Sequence, residues 1–197
     1  MKRITLFVLF ITVITTSLHA QTELFQKSGF LGITLGTAIP IGDFGDDDLN
    51  NEDAGLAENG FNITLLTFGY EFMENFGMAA SWFGGGHLIE TDFGDGIWAY
   101  GALVVGPMVT VELSEKADLD FKLMIGSTAG ILDFDNLDEQ EEGAGFGLDI
   151  GTSLRIGISE KIGFIFNMDY FNTNSEFDDF EQKMTALNIN AGLFFRL

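Results

Sequence analysis

Between Gly145 and Ser159 the side chains alternate. Phe146, Leu148, Ile150, Thr152, Leu154, Ile156 and Ile158 form one set, and Gly145, Gly147, Asp149, Gly151, Ser153, Arg155 and Gly157 form the other. Successive side chains of an extended chain point to opposite faces, so a strict period of two marks a strand with one oily and one small or polar face. The C-terminal segment repeats the pattern, with Leu187, Ile189, Ala191, Leu193, Phe195 and Leu197 set against Asn188, Asn190, Gly192, Phe194 and Arg196. From Asp118 to Ile131 the apolar set is Leu119, Phe121, Leu123, Ile125, Ala129 and Ile131; Asp118, Asp120, Lys122, Gly126, Thr128 and Gly130 oppose it. Followed along the chain, the alternation predicts eight strands, near 29–40, 60–72, 76–87, 97–113, 118–131, 144–158, 162–172 and 184–197. The second reads least cleanly, because Ile63 and Leu65 compete with Leu66, Phe68 and Tyr70 for the outer face.

The connections alternate in length. Long ones are expected near 41–59, 88–96, 132–143 and 173–183; tight ones fall at Met73–Asn75, Ser114–Ala117 and Ser159–Lys161. Long loops at one end and tight turns at the other, with both termini at the tight-turn end, fit a barrel that crosses a membrane. Composition supports this. The chain has 25 glycines, 21 phenylalanines and only 2 prolines, and the glycines fall mainly on the face opposite the bulky residues. An eight-stranded barrel encloses a space just wide enough for side chains, so small residues belong inside and oily ones outside. A soluble sandwich, or a lipocalin-like barrel, buries its bulky face instead. The expected fold is therefore all-β, an eight-stranded antiparallel up-and-down transmembrane β-barrel. Aromatic belts at both membrane interfaces are assigned to Tyr70, Phe72, Phe76, Phe121, Phe164 and Phe195 at the tight-turn end. Phe61, Trp82, Trp98 and Tyr170 are assigned to the other end, with Trp98 on the lumen face.

The first twenty residues read as an export signal. Lys2 and Arg3 precede an apolar run from Ile4 to Val13, and Leu18-His19-Ala20 is a plausible cleavage site before Gln21. That run is too short and too rich in Thr for a membrane helix. The expected organisation is a cleaved signal over 1–20 and one barrel domain over 21–197. Removing the signal leaves seven bases against thirty acids, a formal charge of −23. Nucleic acid is thereby a poor partner, since phosphate contacts need clustered Lys and Arg. The chain has no cysteine, which excludes disulfides, thiolate metal sites and a Cys nucleophile.

Charged residues fall into two groups. Glu71, Glu112, Asp120, Lys122, Arg155 and Arg196 are expected to converge in the lumen near the tight-turn end. Ionised groups in a narrow interior need partners, so this cluster reads as a charge-paired plug; a narrow ion path is the sharper alternative. Twenty of the thirty acids lie in the long connections. They read as a solvated, self-repelling crown, with divalent-cation binding or a basic partner protein as alternatives. The run Asp133-Phe-Asp135-Asn136-Leu137-Asp138 lacks EF-hand spacing, and no metal or cofactor site is assigned.

The ending Asn190-Ala-Gly192-Leu-Phe-Phe195-Arg-Leu197 resembles the signal read by the outer-membrane barrel-assembly machinery, with Asn190, Gly192, Phe195 and Leu197 at the matching positions. The final Leu departs from the Phe or Trp usual in proteobacteria and points to another lineage. Over residues 22–197 the chain is similar to the small eight-stranded barrels of the OmpX and OmpA-transmembrane type. Its Phe and Gly richness and Ser-Glu-Lys turns resemble outer-membrane β-barrel proteins of Bacteroidota. The resemblance implies the outer membrane of a Gram-negative bacterium, with periplasmic termini and extracellular long loops. It further implies contact with outer-membrane lipids and lipopolysaccharide, passage through the assembly machinery, and a structural or interaction role as envelope scaffold or subunit of a larger outer-membrane complex. The alternatives are a small-solute channel and a lipid-modifying enzyme. Barrel deacylases pair a His with a nearby Ser. Here His87, in Gly84-Gly-Gly-His87-Leu-Ile-Glu90, has no Ser two residues away, so the chain reads as a non-enzyme with His87 at the rim.

Overall fold

A computed structural model describes residues 28–51, 53–91, 94–134 and 140–197; the expected export signal lies outside them. Eight strands run in chain order: β1 (Ser28–Pro40), β2 (Gly60–Met73), β3 (Phe76–Thr91), β4 (Gly94–Ser114), β5 (Ala117–Phe134), β6 (Glu141–Gly157), β7 (Ile162–Glu176) and β8 (Glu181–Arg196). Each pairs antiparallel with the next, and β8 returns to β1, with Leu35 opposite Ala191 and Pro40 opposite Ala186, to close the ring. Closure leaves no free edge, which lets a sheet sit in lipid with every ladder satisfied.

The alternation in sequence becomes an inside and an outside. Leu35, Leu103, Phe146, Ile150, Phe166 and Met168 are exposed around the ring, whereas Thr34, Thr128, Asp149, Ser153, Asn167 and Asn190 are buried within it. A soluble fold of this size reverses that arrangement. Among the described residues no helix is long and apolar enough to cross a membrane.

The ambiguity in β2 has a physical origin. Thr64 pairs with Phe83 while Leu66 pairs with Trp82, so Leu65 is an extra residue opposite β3. On the other side Gly32 pairs with Thr67 and Thr34 with Thr64, which places the same insertion against β1. A β-bulge of one residue switches the phase of the alternation. Ile63 and Leu65 before the switch, and Leu66 and Tyr70 after it, are all exposed on the outside.

Two expectations about the connections are corrected. Residues 88–96 are not a long loop: β3 continues to Thr91, which pairs with Gly94. β7 and β8 likewise stay paired out to Glu176 opposite Glu181, leaving a four-residue connection. The strands run on past the apolar band because ladder hydrogen bonds do not depend on side-chain polarity. Among the described residues the long, irregular connection is that from 41 to 59, which carries a short 3₁₀ turn, Gly42–Gly45.

Candidate functional site

The lumen is the site the sequence singles out, and it is filled in layers. At the long-loop end the 41–59 connection folds inward. Phe44 is buried, with its ring edge-on to His87 (5.1 Å) and to Trp98 (6.2 Å). Trp98 Nε1 donates to the Gly55 carbonyl at 2.7 Å. His87 Nδ1 lies 2.7 Å from the Glu58 carbonyl oxygen; a carbonyl only accepts, so Nδ1 carries the hydrogen. Backbone bonds from Gly55 to Asp43, Ala57 to Phe44 and Glu58 to Leu88 hold the connection over the mouth. Phe177 and Phe180, stacked at 4.7 Å, cover the remaining side of Trp98.

Two sequence expectations change here. Trp98 is not a belt residue, being 3% exposed inside the mouth, and His87 is not at the rim, being 0% exposed. Both are covered by the connection that the alternation could not place. The imidazole is enclosed between Phe44 and Tyr100.

A second layer lies below. Tyr100 stacks on His87 (5.9 Å) and on Phe171 (5.2 Å), and Phe83 meets Phe171 edge-on at 5.1 Å. These inward rings were not foreseen in a lumen expected to be lined by small residues. Tyr100 and Phe171 fit because each lies over a glycine. A Cβ at Gly85 meets Tyr100 Cζ at 2.6 Å, and one at Gly147 meets Phe171 Cε2 at 3.0 Å. Part of the glycine excess is thus the other half of an aromatic packing scheme.

The third layer is polar. Tyr100 Oη donates to Asn188 Oδ1 (3.2 Å), and Asn190 Nδ2 to Asn62 Oδ1 (2.7 Å). Lys122 Nζ pairs with Asp169 at 3.2 Å. The cavity enclosed at this level is only about 10 Å³, roughly the room one water needs.

The fourth layer lies towards the tight turns and centres on Arg155. Its Nε and Nη2 donate to the two oxygens of Asp120, at 2.7 and 2.9 Å, in a bidentate fork. Thr110 Oγ1 donates to the same carboxylate at 2.9 Å. Asp118 lies 3.4 Å from Nη1 and Glu71 3.5 Å from Nη2. The Phe30 ring stacks on the guanidinium at 4.2 Å. Arg196 reaches Asp118 at 3.7 Å but is one-third exposed.

Of the six charged residues expected to converge, Glu71, Asp120, Arg155 and Arg196 do so, the last through Asp118. Lys122 belongs to the layer above. Glu112 is a correction: it is exposed at the end of β4, across the ladder from Asp118, and makes no ion pair among the described residues. It lies where the strand leaves the ring for the turn, so water solvates it. Asp118, Asp149 and Asp169 were missed, although Asp118 shares the inward phase of β5 with Asp120, and Asp149 that of β6 with Arg155. In the C-terminal segment Asn190 and Phe194 are buried, while Phe195 and Leu197 face outward.

No protein-family model matches the chain, and no curated protein matches it in sequence. Among solved structures, Neisserial surface protein A superposes with a TM-score of 0.58 at 9% identity, covering 87% of this chain and 99% of that one. The chain has the fold of the small eight-stranded outer-membrane β-barrels. Two further structures are similar more loosely. Ail, the attachment invasion locus protein of Yersinia pestis, aligns at 22% identity and a TM-score of 0.46, over 86% of this chain and 99% of that one. The outer membrane protein OprG from Pseudomonas aeruginosa aligns at 11% and 0.45, over 87% and 95%. The fold assignment rests on the first superposition and on the closed ring itself.

Proposed function

We propose that this protein is a closed outer-membrane barrel that serves as a scaffold or interaction subunit, displaying an acidic loop face outside the cell. The observation that carries this reading is the filled lumen. An aromatic lid, a polar layer with about 10 Å³ of free space and an arginine plug lie in series, and a small-solute channel needs a continuous path through all three. In this reading the lumen charges Glu71, Asp120, Lys122, Arg155 and Arg196 act as an internal brace. The tight turns and both termini face the periplasm, residues 1–20 direct export, and Asn190, Gly192, Phe195 and Leu197 present the assembly signal.

The acidic face has a built element. Asp46 accepts from Asn51 Nδ2 (2.8 Å) and from the Asp48 amide (3.1 Å), and Asp48 accepts from both nitrogens of Asn50. The Asn51 side chain first, and the Asp48 amide next, hold the Asp46 carboxyl below its ordinary range; the Asn50 amide does the same for Asp48. Both stay ionised in mildly acidic surroundings. Beside them is a cleft of about 660 Å³ whose walls include Leu49, Leu56, Asp47, Glu58 and Glu90. Acids over aliphatic side chains suit a basic partner that also brings apolar contacts.

Planar-bilayer recording tests the closed lumen: the purified barrel gives no steady conductance, and a large, steady one overturns the reading. Affinity purification from native membranes tests the interaction role, with a stoichiometric partner expected in low salt and released as salt rises.

A further inference from the structure

Asp149 and Asp169 meet inside the third layer through a glycine. Gly151 is the ladder partner of Lys122 on β5 and of Asp169 on β7, and Asp149 lies two residues before it on the same face of β6. A Cβ at position 151 would run into the Asp169 carboxylate, so the glycine is what lets Lys122 reach across β6 to Asp169. That ammonium compensates one carboxylate. Asp149 is buried, and its Oδ1 has no hydrogen-bond partner.

The small cavity lies between these two acids. Asn62, Thr64, Ser81, Asp149, Asp169 and Asn188 supply its polar wall, and Lys122 is not part of that wall. Two carboxylates and one ammonium leave a single uncompensated negative charge, which is costly in a dry interior. The available donors are carboxylate, amide and hydroxyl oxygens, the set that hard cations prefer. A divalent ion is the poorer fit. It needs six or more oxygens at once, it brings twice the missing charge, and no three acids or imidazoles converge on a metal position among the described residues. The space admits one water-sized sphere, hence an ion stripped of its hydration shell.

We propose that the middle of the lumen binds one dehydrated alkali-metal cation between Asp149 and Asp169. The aromatic layer closes the space above it and the Arg155 layer the space below, so the ion is a resident part of the fold and does not pass through. This inference rests on the filled lumen and is independent of what the loops meet.

Unfolding in urea from phospholipid vesicles, followed by tryptophan fluorescence at neutral pH, tests it in sodium chloride against choline chloride of equal ionic strength. A ligand bound only by the folded state protects it, so sodium slows unfolding by about threefold or more. Asp149→Asn removes that dependence, while Asp178→Asn, exposed between β7 and β8, keeps it. Equal rates in the two salts overturn the proposal. So does a rate that follows pH but not sodium, since a proton then fills the site, and so does a sodium effect that survives in Asp149→Asn. Should Asp149→Asn not fold, wild-type crystals grown in rubidium chloride decide. An anomalous peak between Asp149 and Asp169 supports the site, and its absence overturns it.

Discussion

Arg155 and Arg196 show how differently two bases on the inner face of one barrel contribute. Arg155 is buried, grips Asp120 in a fork and stacks on Phe30; Arg196 has a single 3.7 Å contact and is one-third exposed. Removing one partner of a buried ion pair strands the other charge, at a cost of about 3–5 kcal/mol, whereas exposed pairs contribute about 0–1 kcal/mol. Arg155→Met is therefore expected to lower stability by the larger amount and Arg196→Met by the smaller, both read from urea unfolding in lipid vesicles. The double variant Arg155→Met/Asp120→Leu should recover part of the loss, because the most deeply buried of the three carboxylates that Arg155 holds is gone. Similar costs for the two single variants would mean that the buried fork is not what braces the turn end. Sequence alone grouped these arginines as equals: alternation assigns a face, but depth along the barrel axis and bidentate geometry depend on the neighbouring strands.

At the scale of the strand, the bulge at Leu65 makes a prediction that runs against intuition about deletions. Thr64 and Thr67 face inward while Leu65 and Leu66 both face outward. Deleting Leu65 restores simple alternation from Thr64 to Thr67 without turning any other side chain, so the shortened chain should still fold, with the strand signal of the full chain in circular dichroism. Deleting Thr152 from β6 is different. It inverts every residue on one side of the cut and drives Ser153 and Arg155, or their counterparts, into lipid; that chain should not assemble. If both deletions behave alike, strand phase is not what determines assembly. All eight strands were legible in the sequence for this reason, since a period of two is imposed directly by lipid outside and a narrow lumen inside. The strand ends at the loop side were not legible. Glu90, Asp95, Glu141 and Glu176 are acids in water whether the backbone is paired or looped, so composition there carries no signal of pairing. The inward rings Tyr100 and Phe171 escaped notice for a related reason: each depends on a glycine in a neighbouring strand, and strand register is not written in local sequence.

For the molecule as a whole, the layers act in series, and that has a consequence for attempts to open it. Resistance along a single path is set by its narrowest segment, so relieving one closed layer leaves the others in control. Phe44→Ala combined with Trp98→Ala removes two of the rings that close the loop end and breaks the Trp98 bond to Gly55. Below them Tyr100, Phe83 and Phe171 remain packed, the middle layer has room for about one water, and Arg155 still bridges Asp120, Asp118 and Glu71. Such a variant should lose stability, since each truncated buried ring costs about 3–5 kcal/mol, yet remain silent in planar bilayers. Steady current in this variant would place the only real barrier at the lid and make the lower layers a conducting path. Silence together with reduced stability is the result expected of a barrel whose interior serves as a core. The filled interior then works for the outer surface, because a rigid ring holds the paired hairpins and the 41–59 connection in fixed positions for whatever they meet.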